Sequence, residues 1–292
     1  MDPAEVPSTP ELPTADGSFR TREEVMVSVD PRTLAEVSGP APQLAPISRA
    51  PMTPGEVREL WAFVHGDIMV GGIRSILRRS LGLCPRHAWG YAAVEIELWE
   101  HGAGARGGHQ PFDLTILYKD LAAELAEKLT AHHAPWHTDL RDVITPTQGC
   151  RICSDLHGTD QAHPPVGYAG MNIPALTDVS NRLQWTAGWI RETEPLWRTQ
   201  VCPVCAQPRS YHSDEHPLLC RHHMVGAPLH AAQAAQVGRR LAELSEQMSG
   251  LVQSMTGDGP HAGPEQNAAW VIALSWFATW ETVLDISASP NR

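Results

Sequence analysis

The sequence predicts a mainly α-helical protein, an irregular helical bundle with two Cys3His zinc knuckles and a C-terminal helical hairpin. Three observations lead there. Apolar residues recur three and four apart along most of the chain after residue 53, the spacing of one helix face. All six cysteines fall in two-residue hooks: Cys84-x2-His87, Cys150-x2-Cys153, Cys202-x2-Cys205 and Cys220-x2-His223. Beyond short pieces near the hooks, no segment alternates as a half-buried strand should.

The first 55 residues hold ten of the 25 prolines and none of the ten tryptophans. Residues 1–52 are therefore expected to be a disordered Pro-rich arm, too polar and proline-broken to bury a core. Thr53-Pro54-Gly55-Glu56 signals a helix start, and Val57, Leu60, Val64 and Ile68 form its stripe. Ile73, Ile76 and Leu77 can carry that stripe through Gly71 and Gly72 to about Ser80, with Gly82 as the stop. Pro85 suits the first position of a new helix, with Trp89, Ala92, Ile96 and Trp99 on one side. Leu114, Leu117, Leu121 and Leu125 mark another, and a further helix is expected from about Ala175 to Glu192, before Pro195.

The longest signal is Val237, Leu241, Leu244, Met248, Leu251 and Met255, alternately four and three apart, on a helix from about Gln233 to Met255. This seam is shorter than the three or four heptads of a coiled coil. Trp270, Leu274, Phe277, Trp280 and Leu284 form the next helix, with Trp276 on another side. The turn Gly257–Pro264 should fold these two into an antiparallel hairpin, packing Leu241, Leu244, Met248 and Leu251 mainly against the second helix. The expected domains are the arm, a helical zinc-binding domain over 53–230, and the hairpin over 231–292 packed on it.

Ligands two residues apart let a tight turn aim both donors at one ion, about 2.3 Å from each sulfur. The best-defined unit is C-x2-C-x14-C-x2-H, Cys202 to His223, with His222 as an alternative fourth ligand and His212 and His216 as further candidates. Zinc suits mixed thiolate and imidazole ligands. Cys84 and His87 lie far from Cys150 and Cys153, but cysteine arithmetic pairs them and gives two zinc ions per chain. Against that stands a plainer reading, Cys84 as a small buried hydrophobe and His87 as a cap on the preceding helix. A redox C-x2-C would need a strand-helix setting that is not visible, and iron–sulfur clusters use the same ligand type.

Gly82-Leu83-Cys84-Pro85-Arg86-His87-Ala88-Trp89, followed by Leu114-Thr115-Ile116-Leu117-Tyr118-Lys119-Asp120-Leu121, resembles an uncharacterised family of bacterial helical proteins. In that family C-x2-C hooks alternate with Gly-(Leu/Phe)-Cys-x2-His hooks. Cys150 to Cys153 and Leu219 to His223 resemble the second such module. No C-x2-C precedes Cys84, so Cys150 and Cys153 would serve the first module and leave Cys202 and Cys205 for the second. The resemblance covers roughly residues 56 to 225 and implies no known activity.

The net charge of −11 weighs against general nucleic-acid binding, since an acidic surface repels the phosphate backbone. Arg74, Arg78 and Arg79 form a local basic patch. The start lacks the basic and apolar regions of a secretory signal. The longest apolar stretch, Ala268 to Trp280, has 13 residues and is interrupted by Ser275 and Thr279, against about 20 for a membrane span. Paired hooks without an export signal favour metal over disulfides and a cytoplasmic location.

Other candidates have plainer readings. His101–His109 is glycine-rich but follows a helix and lacks the Lys-Ser/Thr ending of a phosphate loop. His157, Asp160 and His163 could offer a second metal set beside Cys153, while His132, His133 and His137 lie in a polar turn. No hydrolase, zincin, Walker or dinucleotide motif occurs. The expected role is a cytoplasmic zinc-stabilised interaction or regulatory protein, meeting an unknown protein partner through its tryptophan-rich helices. An oligomer through the Val237–Met255 helix is allowed. The rivals are a metal-dependent enzyme with one open zinc site, a nucleic-acid-binding zinc protein, and a redox switch using a labile hook.

Overall fold

The computed structural model describes residues 51–64, 70–100, 111–131, 140–157, 172–182, 184–207, 218–227 and 231–288. All belong to one compact unit, Gly39–Arg292. The expected arm lies outside the described residues up to position 50. Among the described residues there is no strand, and fourteen α-helices share one hydrophobic core.

Helix α1, Pro54–Val64, opens on a capping box. The Glu56 amide donates to Thr53 Oγ1 (3.2 Å), and the Thr53 amide donates to Glu56 Oε2 (2.7 Å). The passage towards α2, Gly71–Ser80, lies outside the described residues over 65–69, Ile68 included. Helix α2 ends in paired bonds from Leu81 N to Arg78 O (3.3 Å) and Gly82 N to Leu77 O (2.9 Å). The left-handed turn therefore falls on Leu81 (φ 51°) as well as on Gly82 (φ 92°), the expected stop. Leu81 tolerates the strain because its side chain is buried in the core.

Helix α3, Pro85–Glu100, begins at the expected proline. Its Glu95, fully buried, accepts the amides of Asp113 and Leu114 (3.0 Å for Leu114) and so caps α4, Phe112–Ala131, from a neighbouring element. Short helices follow: α5 Leu140–Ile144, α6 Arg151–His157, α7 Ile173–Arg182, α8 Gln184–Glu192, α9 Glu194–Trp197, α10 Pro203–Ala206 and α11 Arg221–Gly226. The single helix expected over 175–192 is assigned as α7 and α8, on either side of position 183.

The centre is made by α12, Ala231–Thr256, α4 and α13, Pro264–Ala278. All six seam residues of α12 are buried, from Val237 to Met255. The main partner of α12 is α4, with α13 second, which corrects the expectation that the seam packs mainly against the second hairpin helix. Two contacts show how closely α12 and α4 approach. Ser245 Oγ donates to Lys119 O (3.0 Å), and a Cβ on Gly238 would meet Thr130 Cγ2 at 2.8 Å and Ala126 O at 3.2 Å. Every residue from Ala268 to Ala278 is buried, so α13 is apolar all round because it is enclosed all round. It stops at Thr279 (φ 73°), and α14 runs from Glu281 to Ala288. The helix expected to carry Trp270 through Leu284 is thus two helices. No helix among the described residues is long and apolar enough to cross a membrane.

Candidate metal centres

Each of the four hooks begins a helix in the same way. Cys84, Cys150, Cys202 and Cys220 stand at the N-cap, and their partners His87, Cys153, Cys205 and His223 at the third helical position. The N-cap carbonyl takes the first helical hydrogen bond in every case: Ala88 N to Cys84 O (2.8 Å), Ser154 N to Cys150 O (3.1 Å), Ala206 N to Cys202 O (3.0 Å) and Met224 N to Cys220 O (2.9 Å). An N-cap side chain folds back over the first turn. Two-residue spacing therefore puts both donors over one helix end, and proline at the first position of α3 and α10 presets that turn.

The hooks meet in pairs. Cys84, His87, Cys150 and Cys153 offer four donor atoms within 4.8 Å of one another, and Cys202, Cys205, Cys220 and His223 do the same. In the first set His87 Nδ1 lies 3.3 Å from Cys84 Sγ, 3.6 Å from Cys150 Sγ and 3.3 Å from Cys153 Sγ, with Cys84 and Cys153 sulfurs 3.8 Å apart. In the second, His223 Nδ1 lies 3.4, 3.4 and 3.1 Å from the sulfurs of Cys202, Cys205 and Cys220, with Cys205 and Cys220 3.7 Å apart. A tetrahedral ion with sulfurs at about 2.3 Å and nitrogen at about 2.0 Å has edges of roughly 3.8 and 3.5 Å. Both sets are sized for such an ion, and their sulfur pairs are far too long for disulfide bonds. All six cysteines are free.

The thiol electrostatics point the same way. The hydrogen bond from Cys84 holds the Cys150 thiol at about 3, against the effect of burial, while the same bond pushes Cys84 far up. Burial and the neighbouring thiols raise Cys220, whereas hydrogen bonds from Cys205, Cys220 and His223 pull Cys202 well down despite burial. Crowded sulfurs resist ionising together, and a divalent cation at their centre removes that resistance. Each donor set can thus hold a metal with three thiolates and one imidazole.

Outer partners position these ligands. His87 Nε2 lies 3.2 Å from Glu56 Oε1, the carboxylate that also caps α1. The backbone of Leu83 donates to the Tyr118 hydroxyl (3.3 Å), and Tyr118 packs edge-on against Phe277 (ring centroids 5.4 Å). Thr147 N donates to Arg79 O (2.8 Å), tying the approach to Cys150 to the end of α2 just before Cys84. That bond explains how two hooks distant in sequence come to share one site. At the second centre, Trp276 Nε1 donates to Leu219 O (3.0 Å). The buried Arg221 guanidinium donates to Phe277 O through Nε (3.1 Å) and Nη2 (3.0 Å), and to Ile144 O (3.4 Å). These carbonyls end α13 and α5, where the helix dipoles favour a cation. Burial holds Arg221 down at about 10.

Of the two candidate histidines, His223 faces the sulfurs. His222 Nε2 instead stands 3.0 Å from Arg221 Nη2, and burial together with that cation lowers it to about 3. His157 is exposed on α6 and belongs to neither donor set. His101, His109, His132, His133, His137, Asp160, His163, His212 and His216 lie outside the described residues. The basic patch on α2 is partly neutralised: Arg74 pairs with Asp120 and Arg78 with Glu124 (3.0 Å), while the exposed Arg79 bonds the neutral Ser75 hydroxyl (2.7 Å). Glu56 and Arg221 were not singled out by the sequence. The capping-box spacing from Thr53 marks Glu56, but nothing local relates it to His87. No family model, curated protein or solved structure matches the chain.

Proposed function

We propose that the chain is a cytoplasmic, zinc-stabilised helical protein with an interaction or regulatory role, both of its centres being structural. The observation that carries this is the closure of both donor sets: three sulfurs and one Nδ1 complete each tetrahedron. Catalytic zinc keeps a position for water, and thiolate-rich closed sites serve to hold folds together. The hook arrangement fits membership of the bacterial helical family that the sequence resembles. The pairing of Arg74 with Asp120 and of Arg78 with Glu124 reduces the positive charge that a phosphate-binding surface there would need.

Elemental analysis of the tag-free protein should give close to two zinc equivalents per chain. X-ray absorption should show four-coordinate zinc with three sulfurs and one nitrogen on average. A coordinated water, or turnover that depends on the metal, would replace this reading with the open-site enzyme. Affinity capture with metal-loaded protein should retain a partner that the metal-stripped chain loses.

A further inference from the structure

Glu56 is the most densely bonded side chain described beside either centre, and its links join α1, which carries no donor residue, to α3, which carries His87. It is buried, with 7 % of its surface exposed. Oε2 accepts from the Thr53 amide (2.7 Å), the Thr53 hydroxyl (3.0 Å) and Arg86 Nη2 (2.8 Å). Oε1 faces Arg86 Nε and His87 Nε2. Burial opposes its ionisation, but the Arg86 and Thr53 hydrogen bonds outweigh burial and hold the carboxyl at about 2. With Nδ1 of His87 ligating a metal among the three sulfurs, the neutral ring would carry its proton on Nε2, the nitrogen that lies 3.2 Å from the carboxylate. Ligating histidines are commonly oriented by such an outer partner, which fixes the tautomer and raises ligand basicity.

The same carboxylate begins α1, and the residues before it are latched elsewhere. Arg86 Nη2 donates to Pro51 O (3.1 Å). Met52 exchanges two bonds with Asn181 on α7: its amide donates to Oδ1 (2.6 Å), and Nδ2 donates to its carbonyl (3.0 Å). The start of the core, residues 51–56, is therefore seated on α3 through Glu56 and Arg86 and on α7 through Met52, with Glu56 the member that touches His87. The second centre has no counterpart among the described hydrogen bonds of His223.

Resting on the metal reading above, we propose that Glu56 is a positioning residue of the first centre, through which metal occupancy there sets the seat of residues 51–56. Zinc drawn onto Nδ1 polarises the imidazole, strengthens the Nε2–H bond to Glu56 and tightens the capping box. Loss of zinc frees the ring, and the carboxylate retains only Thr53 and Arg86.

The test uses the full chain titrated with zinc ions against a chromophoric chelator, comparing wild type, Glu56→Ala, Glu56→Gln and Thr53→Ala. In Glu56→Ala one of the two equivalents should weaken about 10- to 100-fold and the other should hold. Glu56→Gln keeps an acceptor oxygen and should show a smaller loss. Thr53→Ala removes the capping hydroxyl but leaves the carboxylate on His87, so both affinities should stay within about twofold. The cobalt-substituted protein adds a signature that fold loosening alone does not move: the d–d bands of one centre should shift in Glu56→Ala. Amide exchange at residues 53–57 should speed up on zinc removal in wild type and be fast with or without zinc in Glu56→Ala. Wild-type affinity at both centres in Glu56→Ala overturns the proposal, as does equal weakening by Thr53→Ala. A wild-type chain that takes up no zinc overturns the metal reading itself.

Discussion

The two centres use one local device in opposite surroundings. In the first, His87 and Cys150 are 63 positions apart, the three cysteines are half-buried, and the histidine is the buried ligand, backed by Glu56. In the second, Cys205 and Cys220 are 15 positions apart, all three cysteines are buried, and the histidine is the outermost ligand. A hook carries enough information to aim two donors, but not to say how deep they will sit. On the metal reading proposed above, depth decides what an ion would do: buried thiolates have no water to solvate them, so an ion at the second centre would be part of the core. The first sits at the junction of α1, α3 and α6, and an ion there would bear on how those elements seat against one another.

The largest expected difference follows from that depth. Cys220→Ser should remove one zinc equivalent and cost at least about 5 kcal/mol, because structural zinc supplies folding free energy on the order of 10 kcal/mol in small sites. Cys153→Ser should remove the other equivalent at a smaller cost. Metal content and thermal unfolding of the two variants measure the gap, and equal losses of stability would erase the contrast.

Arg221→Ala breaks the tie between the second centre and the ends of α13 and α5. It strands carbonyls at Phe277 and Ile144 and should cost roughly 3–5 kcal/mol, the scale of breaking a buried charge network. Urea unfolding reads the cost, and the first centre's zinc affinity should not change.

The platform beneath both centres is tested by Leu244→Ala, which should cost about 2–5 kcal/mol. The loss should fall on both centres alike, since α12 packs on α4 and α13 together. Light scattering checks the alternative that the seam joins two chains: a wild-type dimer that becomes a folded monomer would reject the intrachain packing.

Gly82→Ala aims at the first centre alone. The residue has φ 92°, and an added Cβ would lie 2.7 Å from the Tyr118 hydroxyl. A cost of about 1–3 kcal/mol is expected, with zinc weakened at one centre. As the smallest effect, Val204→Ser should change stability by less than about 0.5 kcal/mol, since Val204 stands 38 % exposed between the donors Cys202 and Cys205. A larger loss would mean that the tip of that hook is covered in solution.

Much of this was legible in the sequence because it is local. The spacing of apolar residues marks α3, α4 and α12, Pro85 marks the start of α3, and each Cys-x2-Cys or Cys-x2-His pair marks a tight turn, which the structure shows to be a helix start in all four cases. Where the sequence misled, a distant neighbour had intervened. Thr279 looks like an ordinary helical residue, yet α13 stops there, with Arg221 bonded to the carbonyl of Phe277 just before it. Leu81 adopts a conformation better suited to glycine because the core buries its side chain. Leu241 and Leu244 show an apolar seam but not its partner, since α4 and α13 offer equally apolar faces and only the closer approach at Gly238 and Ser245 selects α4.

By itself, then, the sequence determined that the chain is helical, where a few helices such as α1 and α3 begin, and which eight residues can act as ligands, because these follow from periodicity and from reach within one turn. Cysteine counting proposed how the hooks pair, but only the tertiary structure brings the four donors of each set together, turns His223 rather than His222 to the sulfurs, and stands Glu56 and Arg221 behind the two sets. Those outcomes depend on contacts across tens of residues, where a hydrogen bond such as Thr147 to Arg79 or a buried guanidinium on two helix ends leaves no periodic trace in the chain.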